Sequence, residues 1–404
     1  MKVNILWVGM LLLLAEAGSA QLNVPRLGDT LGQAESIANP TLQSINQVSR
    51  DAAALAQARV ERLADFGREH RDVVELDDQG MFARRGEVLM LDPSDTVLAT
   101  ARVAGFAVIE RGQIDALDVS FARLATPQGT RLADAMRALR HAIPGKTITS
   151  DPLHFVSATA VTRIAPVVMT KATLPHGGTV GVIDGGMGAN RLVAAQQGFA
   201  VGAPAPNGHA AAIGSLLAGA GVTRIVVADV YGHDPAGGNA LAIARALGWM
   251  VGQHVPVVSI SLVGPPNALL ARAVDAATAR GCIIVAAVGN DGPAAPPAFP
   301  ASYPPVVAVT GVDVHNHVLI EAGHAMHLDY AAPGADMSAI GLNGRTERLR
   351  GTSYAAPLAA ARIAAYANPH LTRADILTAV NAEAINPSRS FGHGLLCATC
   401  RTGK

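Results

Sequence analysis

From about residue 156 onward the chain alternates runs of strand length with helical segments, and this alternation limits its fold class more than any other feature. Thr179–Ile183, Arg224–Ala228, Val257–Ser261, Ile283–Ala287 and Val306–Thr310 are nearly continuous apolar runs, and segments such as Asn239–Val251 and Ala268–Arg280 between them have helical character. A strand that is apolar on both faces must be covered on both faces. Helices between strands supply that cover and make neighbouring strands parallel. The pattern predicts an α/β fold, a parallel sheet with helices on both faces. In such a sheet functional groups gather beyond the carboxyl ends of the strands. No internal repeat, low-complexity tail or appended binding domain is visible.

Residues 86–155 have a different rhythm. Glu87–Leu91 reads as a strand, and Ser94 can cap a helix carrying Val97, Leu98 and Ala101. Phe106–Glu110 and Leu117–Leu124 read as two further strands. Thr130 can cap a second helix with Leu132, Ala135, Met136 and Leu139 on one face, stopped at Pro144-Gly145, and Lys146–Ser150 is a fourth strand. The order βαββαβ describes a small ferredoxin-like unit. That fold carries no function by itself.

The start of the chain reads as an export signal. Lys2 precedes the apolar run Ile5–Ala15 and the small residues Gly18-Ser19-Ala20. The run is too short to span a bilayer comfortably, no Cys follows it, and no later stretch could be a membrane span. Residues 1–20 are therefore expected to leave, and the mature protein to be exported, periplasmic or extracellular, with no membrane anchor. Residues 21–85 form a helical, partly disordered lead segment. Within it Asp51–His70 is helical with Leu55, Ala56, Leu63 and Phe66 on one side, and no functional reading attaches to it. Lys plus Arg equals Asp plus Glu, at 31 each, which argues against nucleic acid as a partner. Cys282 lies in an apolar run and reads as a buried, inert thiol. Cys397 and Cys400 have the spacing of a metal or redox pair, but two cysteines cannot complete a zinc site, and export favours a small disulfide loop. His315 and His317, followed by His324 and His327, read as a polar connection after the last apolar run, and no metal site is expected there.

Four short strings carry the chemistry. Gly351-Thr352-Ser353-Tyr354-Ala355-Ala356-Pro357 opens an alanine-rich helix that ends before Pro369, with Pro357 in its first turn. Ser353 then sits at a helix N-terminus, where partial positive charge favours a nearby anion. Gly181-Val182-Ile183-Asp184-Gly185-Gly186 places Asp184 at a strand end. An Asp before Gly is ordinarily a turn residue, and the glycines here match a dinucleotide loop poorly. His209 opens a small-residue helix in Asn207-Gly208-His209-Ala210-Ala211, and Asn290 follows a strand in Val288-Gly289-Asn290-Asp291-Gly292. Each residue alone would pass as a cap or a turn.

Together, and in this order, the strings resemble the motifs of the subtilisin-like serine proteases, the subtilase or peptidase S8 family. The resemblance covers roughly residues 86–395. It implies a subtilisin-like sheet over 156–404 preceded by a ferredoxin-like pro-domain over 86–155. It also implies a catalytic triad of Asp184, His209 and Ser353, with Asn290 as the oxyanion donor. Ser259–Gly264 resembles the strand that pairs with extended peptide, which makes Ser261, Leu262 and Gly264 substrate-binding residues. Gly237 and Gly238 belong to the loop on the other side. Where the family typically carries Gly-Thr after the histidine, this chain has Ala210-Ala211. The implied protein is an exported, self-maturing serine endopeptidase of broad specificity that needs no cofactor. Its partners are polypeptide substrates and its own pro-domain, whose tail Asp151–Phe155 would lie in the groove like a product. The cut would fall between Phe155 and Pro175, and the enzyme would be a monomer. The competing expectations are a subtilase fold that binds peptide without cleaving it and a nucleotide-dependent α/β enzyme.

Overall fold

A computed structural model describes residues 50–156, 159–160 and 176–403. The expected signal segment, the lead residues 21–49 and most of the expected cleavage window lie outside the described residues. Seven parallel strands form the main sheet, in the spatial order Val193–Gly198, Arg224–Asp229, Thr179–Asp184, Val257–Ile260, Ile283–Ala287, Val307–Val312 and Tyr330–Pro333. The five apolar runs of the sequence are its inner strands. The two edges carry no such run. Val193–Gly198 includes Gln196 and Gln197 and is only partly buried, while Tyr330–Pro333 ends in a proline, which an edge tolerates.

Each inner strand alternates its side chains between two buried layers. Val180, Val182, Val257, Ile283, Val285, Val307 and Val309 face the helices Gly208–Gly219, Thr352–Tyr366 and Arg373–Glu383. Ile183, Val226, Val258, Ile260, Ile284, Ala286 and Ala308 face Ala240–Gly252 and Ala268–Ala279. Asn239 and Asn267 cap these last two helices with their side chains. In sequence the sheet begins with its third strand, Thr179–Asp184, and later crosses to its other side at Val257–Ile260, so Asp184 ends the strand beside the point where the topology reverses.

The small unit is ferredoxin-like. Its strands lie in the order Ala107–Ile114, Val119–Ala125, Glu87–Leu91 and Ile148–Thr149, all neighbours antiparallel. Helices Asp95–Val103 and Leu132–Ala142 pack on one face of it, against Val88, Met90, Ala122 and Leu124. Ser94 caps the first helix, accepting from the Val97 N–H. Thr130 does not cap the second: the residue before it is Arg131, with no side-chain cap bond, and the Leu132 N–H donates to Glu75 Oε2 at 3.1 Å. Glu75 belongs to a hairpin, Val74–Leu76 with Phe82–Arg84, which the lead segment was not expected to form.

The other face of that sheet is also apolar, with Leu89, Leu91, Ile114, Val119 and Phe121 buried in one core with the helices Ala240–Gly252 and Ala268–Ala279. Gly248 is required for this contact, because a Cβ there would lie 2.3 Å from the Asp115 carbonyl oxygen. Polar groups fix the register. Asn267 Nδ2 donates to Thr149 Oγ1 at 3.0 Å and to the Ser150 carbonyl at 3.1 Å. At the start of helix Ala240–Gly252, the Leu241 N–H donates to Asp151 Oδ1 at 2.9 Å and the Ala240 N–H to the Pro152 carbonyl at 3.0 Å. These bonds satisfy amide groups that a helix N-terminus otherwise leaves without partners.

Candidate active site

Asp184 is fully buried, and Gly185 N–H donates to its Oδ1 at 2.8 Å. His209 Nδ1 lies 3.0 Å from Oδ1 and 2.9 Å from Oδ2 of the same carboxylate. A carboxylate only accepts, so Nδ1 carries the proton and Nε2 is the basic nitrogen. His209 Nε2 is buried and has no hydrogen-bond partner among the described residues. Two glycines allow the approach. A Cβ on Gly185 would lie 2.6 Å from Asn207 Cβ, and one on Gly186 would lie 2.4 Å from the Ala205 carbonyl oxygen.

The departure at Ala210-Ala211 does not loosen the histidine helix. Asn207 caps it, accepting from the His209 N–H at 2.8 Å and the Ala210 N–H at 3.4 Å. The cap holds the backbone of His209 itself, so the ring is aimed from a fixed start.

Ser353 is fully buried in the first turn of helix Thr352–Tyr366. Gly351 precedes that helix with φ 137°, ψ 155°, a conformation essentially confined to glycine. Pro357 is not in the first turn, because the helix begins at Thr352. It lies inside the helix and has no N–H to give to the Ser353 carbonyl. The Ser261 hydroxyl donates to that carbonyl instead, at 2.7 Å, while Ser353 Oγ stands 3.4 Å from the Ser261 carbonyl oxygen. Ser261 therefore contacts Ser353 directly. Tyr354 packs its ring against His209, centroids 5.3 Å apart, and draws the serine and histidine segments together.

Asn290 is buried behind Gly289, which has φ 91°. The Thr352 N–H donates to Asn290 Oδ1 at 2.9 Å. With its carbonyl end held by the residue before Ser353, the side-chain amide is fixed in orientation.

The chain itself occupies the groove beside these residues. Phe155–Val156 pairs antiparallel with Leu262–Val263, in the register Val263↔Phe155 and Leu262↔Val156. On the opposite side the His154 N–H donates to the Gly238 carbonyl at 2.9 Å. Tyr231, which sequence reasoning missed, donates its hydroxyl to the His154 carbonyl at 2.7 Å. A Cβ on Gly264 would lie 2.6 Å from the His154 ring, and one on Gly238 would lie 2.6 Å from the His154 carbonyl oxygen, so both glycines shape the pocket that holds this residue. Gly237 instead makes a turn, its N–H donating to the Asp234 carbonyl. Thr159–Ala160 pairs antiparallel with Leu349–Arg350, the end of the strand that leads in sequence to Gly351 and Ser353.

Burial acts on two groups of this segment in opposite directions. It pushes the Asp151 carboxyl up to about 7, against the Leu241 N–H and Arg84, which favour the charged form. It pushes the His154 imidazole down to about 4, partly offset by the nearby Pro152 and Gly238 backbone. Neither ring nitrogen of His154 has a hydrogen-bond partner among the described residues. Elsewhere, Cys397 and Cys400 form a disulfide, and Cys282 is a buried thiol pushed up to about 12. His315 and His317 sit on a turn around Asp313, whose Oδ1 accepts both backbone N–H groups.

Residues 199–394 match the model of the Subtilase family. The chain is 30% identical over 257 residues to Subtilisin Savinase of Lederbergia lenta, covering 59% of this chain and 95% of that protein. It is equally identical over the same length to an alkaline protease of Alkalihalobacillus alcalophilus, covering 67% of the latter. Among solved structures it is similar to fervidolysin from Fervidobacterium pennivorans, described as a keratinolytic enzyme related to subtilisin. That likeness has a TM-score of 0.64 at 17% identity and covers 81% of this chain and 62% of that one, so it speaks for the fold alone.

Proposed function

Because the chain belongs to the subtilase family of serine endopeptidases, we propose that Ser353 is its nucleophile, His209 its general base, Asp184 the orienting carboxylate and Asn290 the oxyanion donor. One observation carries the assignment: His209 Nδ1 is bonded to both oxygens of buried Asp184, and its Nε2, which has no partner among the described residues, lies beside the serine helix. A Ser hydroxyl is a weak nucleophile until a base takes its proton. His209 takes it through Nε2, then returns it to the leaving amine. Asp184 holds the ring tautomer and stabilises the imidazolium. The scheme uses no metal or cofactor.

Polypeptide is the substrate, held by backbone pairing to Leu262–Val263 on one side and Gly238 on the other. Such pairing tolerates many sequences, which supports broad specificity. We further propose that the segment ending near Val156 is a pro-segment. It occupies the groove as a product would, and it carries its own folded unit against two catalytic-side helices. Export is supported by the leader-like residues 1–20 and the Cys397–Cys400 disulfide. A fluorophosphonate probe tests the serine assignment: the matured protein should be labelled at Ser353, and labelling that survives Ser353→Ala would overturn it.

The two shifted groups of the tail give a pH prediction. Docking raises the Asp151 pKa, so this residue strengthens docking as pH falls from about 7 toward 4. Docking lowers the His154 pKa, so that residue weakens docking as pH falls from its ordinary range near 6.5 toward about 4. In wild type the two oppose each other. With His154→Phe only the carboxyl remains, and the pro-segment should be held roughly tenfold or more tighter at acid than at neutral pH. With Asp151→Asn only the imidazole remains, and acid should release it by a similar factor. Size-exclusion of the cleaved complex across this pH range reads both; identical profiles for the two variants would refute the assignment.

A further inference from the structure

The helix over 50–69 lies outside the ferredoxin-like unit, and the inhibition described above does not use it. Its contacts are nonetheless with the groove. Arg59 Nε donates to Asp291 Oδ2 at 3.0 Å, and Arg62 bonds the other oxygen of the same carboxylate. Asp291 directly follows Asn290. Leu55 covers the next residue, and a Cβ on Gly292 would lie 3.2 Å from Leu55 Cβ. Farther along, Phe66 packs edge-on against Phe155 of the docked tail, centroids 5.1 Å apart, and against Phe82 at 5.9 Å. Phe66 belongs to the same apolar cluster as Val74, Leu153 and Ala236, and Gly67 leaves room for the Phe82 ring. Leu55 and Phe66 are about 16 Å apart along a helix axis, so one rigid element reaches from the oxyanion loop to the strand in the groove.

We propose that this helix is a second inhibitory element, a strap that docks on the Asp291-Gly292 turn and clamps the tail into the groove. The docking site is a carboxylate flanked by a glycine, and it suits a basic amphipathic helix. The occupant is this chain's own segment. The inference rests on the reading of the residues before Val156 as a pro-segment. On that reading release requires three contacts to break: the sheet on its two helices, the tail in its strand pairing, and the strap on Asp291. The strap's ion pairs are partly exposed, so they contribute modestly and respond to salt.

The test uses the full precursor and records the lag before peptide hydrolysis, with intact masses taken in parallel. Arg59→Gln/Arg62→Gln should shorten the lag about three- to tenfold, and Phe66→Ala by a similar factor. Arg59→Lys/Arg62→Lys should restore most of it. The final kcat/KM should match wild type, because none of these residues remains in the matured enzyme. Salt provides a readout free of folding effects: about 1 M sodium chloride should shorten the wild-type lag by a larger factor than that of the Gln variant, which keeps only the other pairs across the interface, such as Arg84–Asp234, Arg245–Glu110 and Arg280–Asp118. Wild-type lags in both variants, with a wild-type response to salt, would overturn the strap and leave the pro-segment reading standing. A wild type that cleaves itself with no lag, its pro-segment leaving at once, would overturn both.

Discussion

A precursor carrying Ser353→Ala will hydrolyse no peptide and will remain a single chain, while wild type divides into two pieces. Removing one oxygen deletes the proposed nucleophile and changes little else, because the volume change is small at this fully buried position and the Ser353 carbonyl stays bonded to the Ser261 hydroxyl. The variant should therefore fold and keep its tail in place. The wild-type cut is expected in the stretch joining Val156 to Thr159. On one side Phe155–Val156 is paired with Leu262–Val263, and on the other Thr159–Ala160 is paired with Leu349–Arg350, just ahead of Ser353. Pairing on both flanks brings the two ends of that stretch to the site, and proximity of this kind supplies much of the rate of an intramolecular attack. Intact masses over time decide the matter. Self-cleavage that persists in Ser353→Ala would refute the nucleophile, and a wild-type chain that stays whole while hydrolysing added peptide would refute the pro-segment.

The inner strands were legible because they are apolar on both faces, and a run such as Ile283–Ala287 has no other use in a chain of this composition. The edge strands were not. Val193–Gly198 is half solvated and Tyr330–Pro333 is short and proline-ended, so neither carries a periodic signal. One helix cap was readable because the capping residue directly precedes the helix, as with Ser94, and another was unreadable because its partner is distant. Glu75 reaches the Leu132 N–H from 57 residues upstream, and no local pattern announces that. The four candidate catalytic residues could be picked out by motif and order. Their supports could not. Asn207 as the cap that fixes His209, and Ser261 as the partner of the carbonyl that Pro357 leaves free, are consequences of tertiary approach. The same holds for the lead helix. Its periodicity gave a helix with one apolar side, but only the fold shows that side meeting Phe155 and Asp291.

Asn290→Ala is expected to lower kcat about 100- to 1,000-fold while leaving KM nearly unchanged. A carbonyl in the ground state carries little charge and is satisfied by ordinary contacts. In the tetrahedral intermediate its oxygen becomes an anion, and donors already fixed in place stabilise it without reorganising. Asn290 is suited to this task because its own carbonyl oxygen is committed to the Thr352 N–H at 2.9 Å, which fixes the orientation of the side chain before charge develops. The bond also ties Asn290 to the residue before Ser353, so the side-chain donor and the Ser353 backbone N–H move as one unit. Asn290→Asp should be at least as damaging, since it places a carboxylate where negative charge must form. Truncation will also leave the buried Thr352 N–H without its acceptor, so thermal unfolding must be measured alongside the kinetics. A loss confined to kcat, in a protein that still melts cooperatively, assigns the residue to the transition state. A loss confined to KM would make Asn290 a substrate-binding residue, and the oxyanion would then rest on backbone N–H groups alone.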